Sequence, residues 1–381
     1  MTRDRIQTTH IGSLPRTPEL LELLTRRQDG EEVDEGEWHD AVVDATETVI
    51  QRQADIGLDI INNGEQPRVS FNWYVANRLS GIGDTRDAPL WDDLADYPEY
   101  AEDAFHAEGI DLTKQPSVTG PVEYVGEDAA REEIETFFEL LEASGHDFEG
   151  TFITAASPGI AGATLVNDYY DSHEEFLSVV GEALKKEYEL IAETGATLQL
   201  DAPDLLTTGH RGFGDRPIEK LKPIVRMHVD ALNEATKDIP DEQIRVHTCW
   251  GSYEGPHHRD KPLEEIIPIL YDLNIGGLSI EEANPRHQHE YRVFREHPLP
   301  EDWTLIPGVV DVKTNVVEHP EVVADRIERV ADAVGDPSRI VAAPDCGFDT
   351  QAGMAMVHPE IAWAKLEAVV DGAEVATERL F

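Results

Sequence analysis

The two cysteines of this chain lie beside other side chains that can bind metal ions. Residues 245–250 alternate polar and apolar types, a pattern typical of a strand. Because residues i and i+2 of a strand point to the same side, His247 and Cys249 can face one point. Cys346 and Glu281 each follow a separate strand-like run. Thiolate, imidazole and carboxylate are the usual protein ligands of zinc. We therefore predict one zinc ion (Zn2+) held by His247, Cys249, Glu281 and Cys346.

Other interpretations of these residues stay open from the pattern alone. A buried cysteine often serves as a small apolar side chain. The two thiols could also form a disulfide, although such bonds are rare in intracellular proteins. Glu282 could supply the carboxylate ligand in place of its neighbour Glu281.

Eight strand-like segments, each followed by a helical or loop segment, run through the chain. This alternation predicts an α/β fold, a single (β/α)8 TIM barrel that occupies residues 1–381 as one domain. Residues 81–115, rich in Asp, Pro and aromatic types, are interpreted as an insertion after the second βα unit. Residues 118–125 are expected to form a strand or hairpin over the barrel mouth. The predicted helices include 129–141, 174–194, 218–235, 263–273, 320–334 and 359–372.

Polar side chains end most of the predicted strands. One such residue could be an ordinary turn or helix-cap residue. In (β/α)8 barrels, however, the chemistry gathers at the carboxyl ends of the strands, so many polar endings favour a shared site. The residues concerned are Ser13, Glu65, Asp201, His247, Cys249, Glu281, Asp311 and Cys346.

Charge and hydropathy limit the classes of partner. The chain has 31 Lys and Arg against 77 Asp and Glu, a formal net charge of −46. Such a surface repels phosphate, which argues against nucleic acid as a partner. We interpret it as a halophilic adaptation to a salty cytoplasm, the alternative being a calcium-coated acidic surface. The chain has no run of about 18 apolar residues, so no membrane span is predicted. The first residues lack the apolar core of a secretion signal, so a cytoplasmic location is expected.

Four motifs, in order along the chain, resemble those of the catalytic barrel of cobalamin-independent methionine synthase. They are Ile11-Gly12-Ser13-Leu14-Pro15, His247-x-Cys249, Ile280-Glu281 and Pro344-Asp345-Cys346-Gly347. The resemblance implies the same four zinc ligands that the spacing suggests. It also implies that Ile11, Gly12 and Ser13 bind the carboxylate of homocysteine. Glu65 and Asp201 would bind its ammonium group.

The chain departs from that family in several places. Residues 157–165 lack the aromatic residue that stacks on folate in the family, and 381 residues leave no room for the family's second, N-terminal barrel. Lys313 stands where the family has a histidine linked to proton handling. We therefore assign a catalytic role to Asp311 and Lys313, with a simple ion pair between them as the alternative. Residues 255–262 form an insertion.

The sequence thus predicts a zinc-dependent methyltransferase that converts homocysteine to methionine. The donor is expected to be a methylcorrinoid, carried by a corrinoid protein, rather than a folate triglutamate. One alternative is another zinc-dependent thiol alkyltransferase, similar to epoxyalkane:coenzyme M transferase. Another is a non-catalytic zinc- or thiol-binding barrel. The loop histidines at positions 257, 258, 287 and 289 are interpreted as loop or surface residues, one or two of which could line the donor pocket.

Overall fold

The computed structural model describes residues 3–28, 30–87, 91–105, 114–208, 216–353 and 355–381. Within these ranges the strands are β1 (Gln7–Thr8), β2 (Ile60–Ile61), β3 (Ile82–Asp87), β4 (Lys114–Val118), β5 (Gly150–Ala156), β6 (Val166–Asn167), β7 (Thr197–Asp201), β8 (Ile244–Thr248), β9 (Gly277–Ile280), β10 (Thr304–Val310) and β11 (Val341–Pro344).

The helices in the same ranges are α1 (Pro18–Gln28), α2 (Glu35–Ile56), α3 (Phe71–Arg78), α4 (Asp92–Ala95), α5 (Pro98–Phe105), α6 (Glu127–Ser144), α7 (Pro158–Thr164), α8 (His173–Glu193), α9 (Asp204–Thr207), α10 (Ile218–Thr236), α11 (Leu263–Leu270), α12 (Val293–Glu296), α13 (Pro320–Val334) and α14 (Pro359–Leu380). None of them is long and apolar enough to cross a membrane.

Eight parallel strands form the barrel, in the order β1-β11-β10-β9-β8-β7-β5-β2. A parallel bridge between Thr9 and Ile60 joins the first strand to the last and closes the ring. The predicted (β/α)8 barrel is therefore confirmed. Its strands are buried and rich in Val, Ile, Leu and Ala, as parallel strands covered by helices must be. All eight carboxyl ends open on the same face.

Local sequence sets where the helices begin and end. The Asp34 carboxylate accepts hydrogen bonds from two backbone amides in the first turn of α2. Gly57 ends the same helix in a left-handed conformation, with φ at 78°. Helix α13 begins with Pro320 directly after its N-cap, and Gly335 is its C-cap. Its bounds, 320–334, are those predicted from the sequence, so this prediction is confirmed.

Two predicted segments differ from the structure. The segment 118–125 is a strand only to Val118, since Pro121 has no N–H to donate; beyond it, Tyr124 forms a single antiparallel bridge with Leu79. Instead β4 pairs with β3 of the insertion and with β6 in a small second sheet. Helix α14 continues past Gly372, where the missing side chain lets the helix pack closely against Val323.

Candidate metal centre and amino-acid pocket

A histidine and both cysteines converge at the carboxyl-end face of the barrel. His247 lies in β8, Cys249 follows the same strand, and Cys346 follows β11. Their ligand atoms all lie within 4.8 Å of one another, and all three residues are buried. Both cysteines are free thiols rather than a disulfide. The arrangement offers one nitrogen and two sulfurs to a single point.

Hydrogen bonding leaves one nitrogen of His247 facing that point. Nδ1 lies 3.2 Å from Ser279 Oγ. Nε2 is buried and has no hydrogen-bond partner in the described part of the chain. A buried polar atom without a partner is costly unless a ligand satisfies it. The histidine is thus oriented as a metal ligand with a supporting contact on its other nitrogen.

The two thiols differ in acidity because they interact with each other. Contact with Cys249 and with the His247 ring holds the pKa of Cys346 well below its usual range, despite burial. Contact with Cys346 and burial raise the pKa of Cys249 well above its usual range. Thiolate is the form that binds metals, so the lowered pKa of Cys346 favours that form.

Glu281 lies beside this group but pairs with a lysine. Lys313 Nζ is 3.3 Å from Glu281 Oε1, and the glutamate is fully buried. Glu281 is not a member of the group of three whose ligand atoms lie within 4.8 Å. Burial raises the pKa of Glu281 to about 7, although Lys313 acts in the opposite direction. Lys313 does not bond to the Asp311 carboxylate through its ammonium; only its backbone N–H donates there. The alternative of a simple Asp311–Lys313 ion pair is therefore wrong.

Glu65 and Asp201 form a second, acidic part of the same mouth. Glu65 Oε1 accepts a hydrogen bond from Thr154 Oγ1 at 2.9 Å, and Asp201 Oδ1 accepts one from Gln199 Nε2 at 2.8 Å. Burial raises the pKa of both carboxyl groups, that of Asp201 to about 7, and the neighbouring Glu65 contributes to the shift at Asp201. Two carboxylates that disfavour each other's ionisation are suited to share a cation.

The segment Ile11–Ser13 lies between the acidic pair and the thiol group. The Ile11 carbonyl accepts a hydrogen bond from Gln199, the residue that also holds Asp201. Gly12 has φ at 149°, and a Cβ added there would overlap the Glu65 carboxylate. Ser13 Oγ accepts from the Asp349 backbone N–H, three residues after Cys346. Every predicted site residue except Asp311 thus has a contact that ties it to this mouth.

Several supporting residues were missed from the sequence. Arg245 is buried inside the barrel, donates to Gln199 Oε1 at 2.8 Å, and so supports the residue that holds Asp201. The signal was present, because Arg245 shares the strand face of His247 and Cys249. The Asp345 carboxylate accepts from three successive backbone amides, Glu282 to Asn284, and so fixes the loop after Glu281. Glu282 itself is fully buried.

The molecule is a closed parallel (β/α)8 barrel with a group of side chains at its carboxyl-end face that could hold a metal ion. Residues 6–91 and 159–374 match the family described as "Cobalamin-independent synthase, Catalytic domain". The match covers most of the chain, which therefore belongs to this family. Membership indicates an enzyme, a methyltransferase, and the resemblance inferred from the four motifs is confirmed.

Relatives that match nearly the whole chain are named methionine synthases. The chain is 26% identical to a methionine synthase of Thermococcus kodakarensis over 98% of this chain and 94% of the relative. It is 25% identical to one of Sulfurisphaera tokodaii, with the same two coverages. The fold is similar to that of a B12-independent methionine synthase from Shewanella sp. W3-18-1 in complex with selenomethionine. That comparison has a TM-score of 0.74 and 21% identity, and covers 99% of each chain.

Proposed function

We propose that the protein is a zinc-dependent methyltransferase that transfers a methyl group to the thiol of homocysteine and forms methionine. The observation that carries the proposal is the convergence of His247, Cys249 and Cys346 within 4.8 Å at the catalytic face. The buried, partnerless Nε2 of His247 and the acidified thiol of Cys346 suit a zinc ion. Zinc would supply the Lewis acidity that lowers the pKa of the substrate thiol.

Glu281 is the fourth ligand in this proposal, and its ion pair with Lys313 competes with its binding to the metal. A carboxylate oxygen exchanges more readily than a thiolate at a soft metal site. When Glu281 is not a ligand, the 3.3 Å ion pair with Lys313 compensates its buried charge. Lys313 thereby allows the substrate thiol to enter without a large electrostatic cost.

The acidic pair and the Ile11–Ser13 segment would hold the amino-acid end of the substrate. Glu65 and Asp201 can both ionise once the ammonium group lies between them, because its charge cancels their mutual repulsion. The segment next to them would bind the substrate carboxylate. In this position the thiol points to the cysteine group. Sulfur then forms a bond to the donor's methyl carbon, and the bonding pair leaves with the donor.

The donor in this proposal is a methylcorrinoid rather than a folate triglutamate. Residues 157–165 contain no aromatic side chain on which a pterin ring could stack. A direct test is to incubate the zinc-loaded protein and homocysteine with methylcobalamin or with methyltetrahydrofolate, and to measure methionine. Methionine formed only from methylcobalamin supports the proposal. If neither donor gives methionine while homocysteine still binds, a non-catalytic thiol-binding role is favoured.

The zinc assignment has its own test. His247→Gln and Cys346→Ser should each lower zinc content, measured by mass spectrometry of the metal, together with methionine formation. His39→Gln is the matched control, since this exposed histidine lies outside both groups of metal-ligand side chains. Normal zinc content in both His247→Gln and Cys346→Ser would refute the ligand set. Coenzyme M in place of homocysteine distinguishes the related alkyltransferase activity.

A further inference from the structure

A second cluster of metal-ligand side chains lies in two loops above the barrel. His257 and Asp260 come from the loop after β8, and His287 comes from the loop after β9. One ligand atom from each lies within 4.8 Å of the other two, and all three residues are buried. His257 and His287 lie in loops, as interpreted from the sequence, but both are buried. His258 and His289 are exposed, as expected.

Both imidazole rings turn one nitrogen to the same carboxylate oxygen. Asp260 Oδ2 is 3.0 Å from His257 Nδ1 and 2.7 Å from His287 Nε2. The other nitrogen of His257 lies 3.1 Å from the Tyr253 carbonyl oxygen, which can only accept. That contact places the proton of a neutral His257 ring on Nε2. The Nδ1 lone pair of that neutral ring then faces the Asp260 oxygen, and either a proton on Nδ1 or a metal ion between the two atoms satisfies both.

The outer contact of the His257 ring is one that metal-bound histidines make. Metal-ligating histidine usually donates its other N–H to a carbonyl or a carboxylate. His257 has the Tyr253 carbonyl in that position, whereas His287 Nδ1 has no hydrogen-bond partner among the described residues; the Glu290 carboxylate is 3.8 Å away. The indole of Trp250 stacks on His287 with centroids 3.6 Å apart and an angle of 5°. An aromatic face in this position stabilises an electron-poor, cation-bearing ring.

Backbone conformation adds an independent observation. His257 has φ at 51°, in the left-handed region that residues other than glycine rarely adopt. Such a conformation costs on the order of 1 kcal/mol or more and persists where surrounding contacts impose it, often at ligand sites. Here the conformation brings His257 Nδ1 to Asp260, only three residues further on, while its backbone N–H donates to the buried Asp93 carboxylate.

We propose that His257, Asp260 and His287 form a second metal site, which binds a divalent transition-metal ion of the zinc and cobalt class. Two nitrogens and one carboxylate oxygen suit such ions, and the donor set lacks the sulfur of the cysteine group. The ion would link the loop after β8 to the loop after β9. Trp250, which follows Cys249 directly, stacks on one of its ligands, so the site supports the wall of the catalytic mouth.

The test is a cobalt titration of the metal-free full-length protein, followed by absorption spectroscopy. Cobalt bound to cysteine gives intense thiolate charge-transfer absorption, whereas cobalt bound by nitrogen and oxygen gives only weak ligand-field bands. We expect two equivalents to bind, of which one lacks charge transfer. His257→Gln and His287→Gln should each reduce binding to one equivalent and keep the charge-transfer band. His258→Gln, the exposed neighbour, should retain two.

A second set of variants separates this proposal from the proposed function. Cys249→Ser combined with Cys346→Ser should remove the charge-transfer band and leave one equivalent of cobalt without it. This result is expected whether or not the cysteine group binds zinc for methyl transfer. If the wild-type protein binds one equivalent and the double cysteine variant binds none, the cluster is a hydrogen-bond network only and the proposal fails.

Discussion

At the scale of single residues, the candidate site keeps ionisable groups in places that disfavour their charged forms. Asp201 is the clearest example, because partial burial and the nearby Glu65 raise its pKa from 3.8 to about 7. The Gln199 side chain compensates with only one hydrogen bond. The repulsion between the two carboxylates destabilises the protein without substrate. A bound cationic group removes that repulsion, which is the property expected of a site for such a group.

Asp201→Asn should therefore stabilise the substrate-free protein at alkaline pH. A raised carboxyl pKa means that the folded protein binds the proton more tightly, so stability falls as pH rises from 3.8 to about 7 and then stays low. The variant avoids this loss. We expect an advantage on the order of 2 kcal/mol above pH 7, smaller than the full shift implies because Asp201 is partly accessible.

Chemical unfolding across this pH range provides the measurement. The advantage of Asp201→Asn should be small near pH 4 and largest above about pH 7. Asp230→Asn, on the exposed face of α10, is the control and should show no such pH dependence. An advantage of equal size at all pH values would contradict the electrostatic explanation.

At the scale of elements, the loops at the carboxyl ends position the site through contacts with one another. The insertion helix α4 contributes the buried Asp93, whose carboxylate accepts from the Tyr253 hydroxyl at 2.6 Å and from the His257 backbone N–H at 2.9 Å. The loop after β8 is thus held from one side by the insertion and from the other by the contact of its Asp260 with His287 in the loop after β9. Each loop limits the movement of its neighbour.

The loop after β1 has no space for a side chain at Gly12. A side chain at Gly12 would overlap Glu65 and would be strained at φ 149°. Gly12→Ala should therefore displace the Glu65 carboxylate from the amino-acid pocket. We expect the KM for homocysteine to rise about 10- to 100-fold, the effect of misplacing a binding group by roughly 1 Å. Steady-state kinetics at constant zinc content provides the measurement.

Gly145→Ala distinguishes the effect of backbone strain from the effect of displacing the Glu65 carboxylate. Gly145 also has a left-handed conformation, with φ at 68°, but nothing lies within 4 Å of an added Cβ. That variant should lose about 1 kcal/mol of stability and keep the wild-type KM. If both variants change stability alone, Gly12 does not hold Glu65 in place.

At the scale of the whole molecule, the net charge of −46 produces electrostatic repulsion across the surface. Acidic side chains cover the surface, and most of the lysines and arginines of the described residues already pair with a carboxylate, as Arg379 does with three. The unpaired excess repels itself, which destabilises the compact state. Dissolved salt reduces this repulsion because the screening length falls from about 10 Å at 0.1 M to about 3 Å at 1 M.

We therefore expect the melting temperature to rise by about 5 °C or more between roughly 0.1 M and 2 M KCl. Thermal unfolding followed by circular dichroism is the measurement. Sucrose at matched water activity is the control, because it is excluded from the protein surface without screening charge. An equal rise in sucrose would show that screening is not the cause and would contradict the halophilic interpretation.

Local patterns in the sequence were sufficient to predict the barrel and part of the candidate site. The alternation at 245–249 predicted both the strand β8 and the shared direction of His247 and Cys249, because the side-chain period of a strand is a local property. The order of strands and helices predicted the closed parallel barrel, since few topologies accommodate that alternation. The bounds of α13 followed from its own proline and glycine.

Only the tertiary structure decided which distant groups meet. Lys313 pairs with Glu281 rather than Asp311 because β9 and β10 are neighbours in the ring and direct both side chains to the mouth. His257 and His287 converge on Asp260 because two loops fold toward each other, and loop paths have no sequence period from which contact could be inferred. Sequence periodicity reports the face of an element on which a residue lies, whereas contact between elements depends on how the whole chain packs.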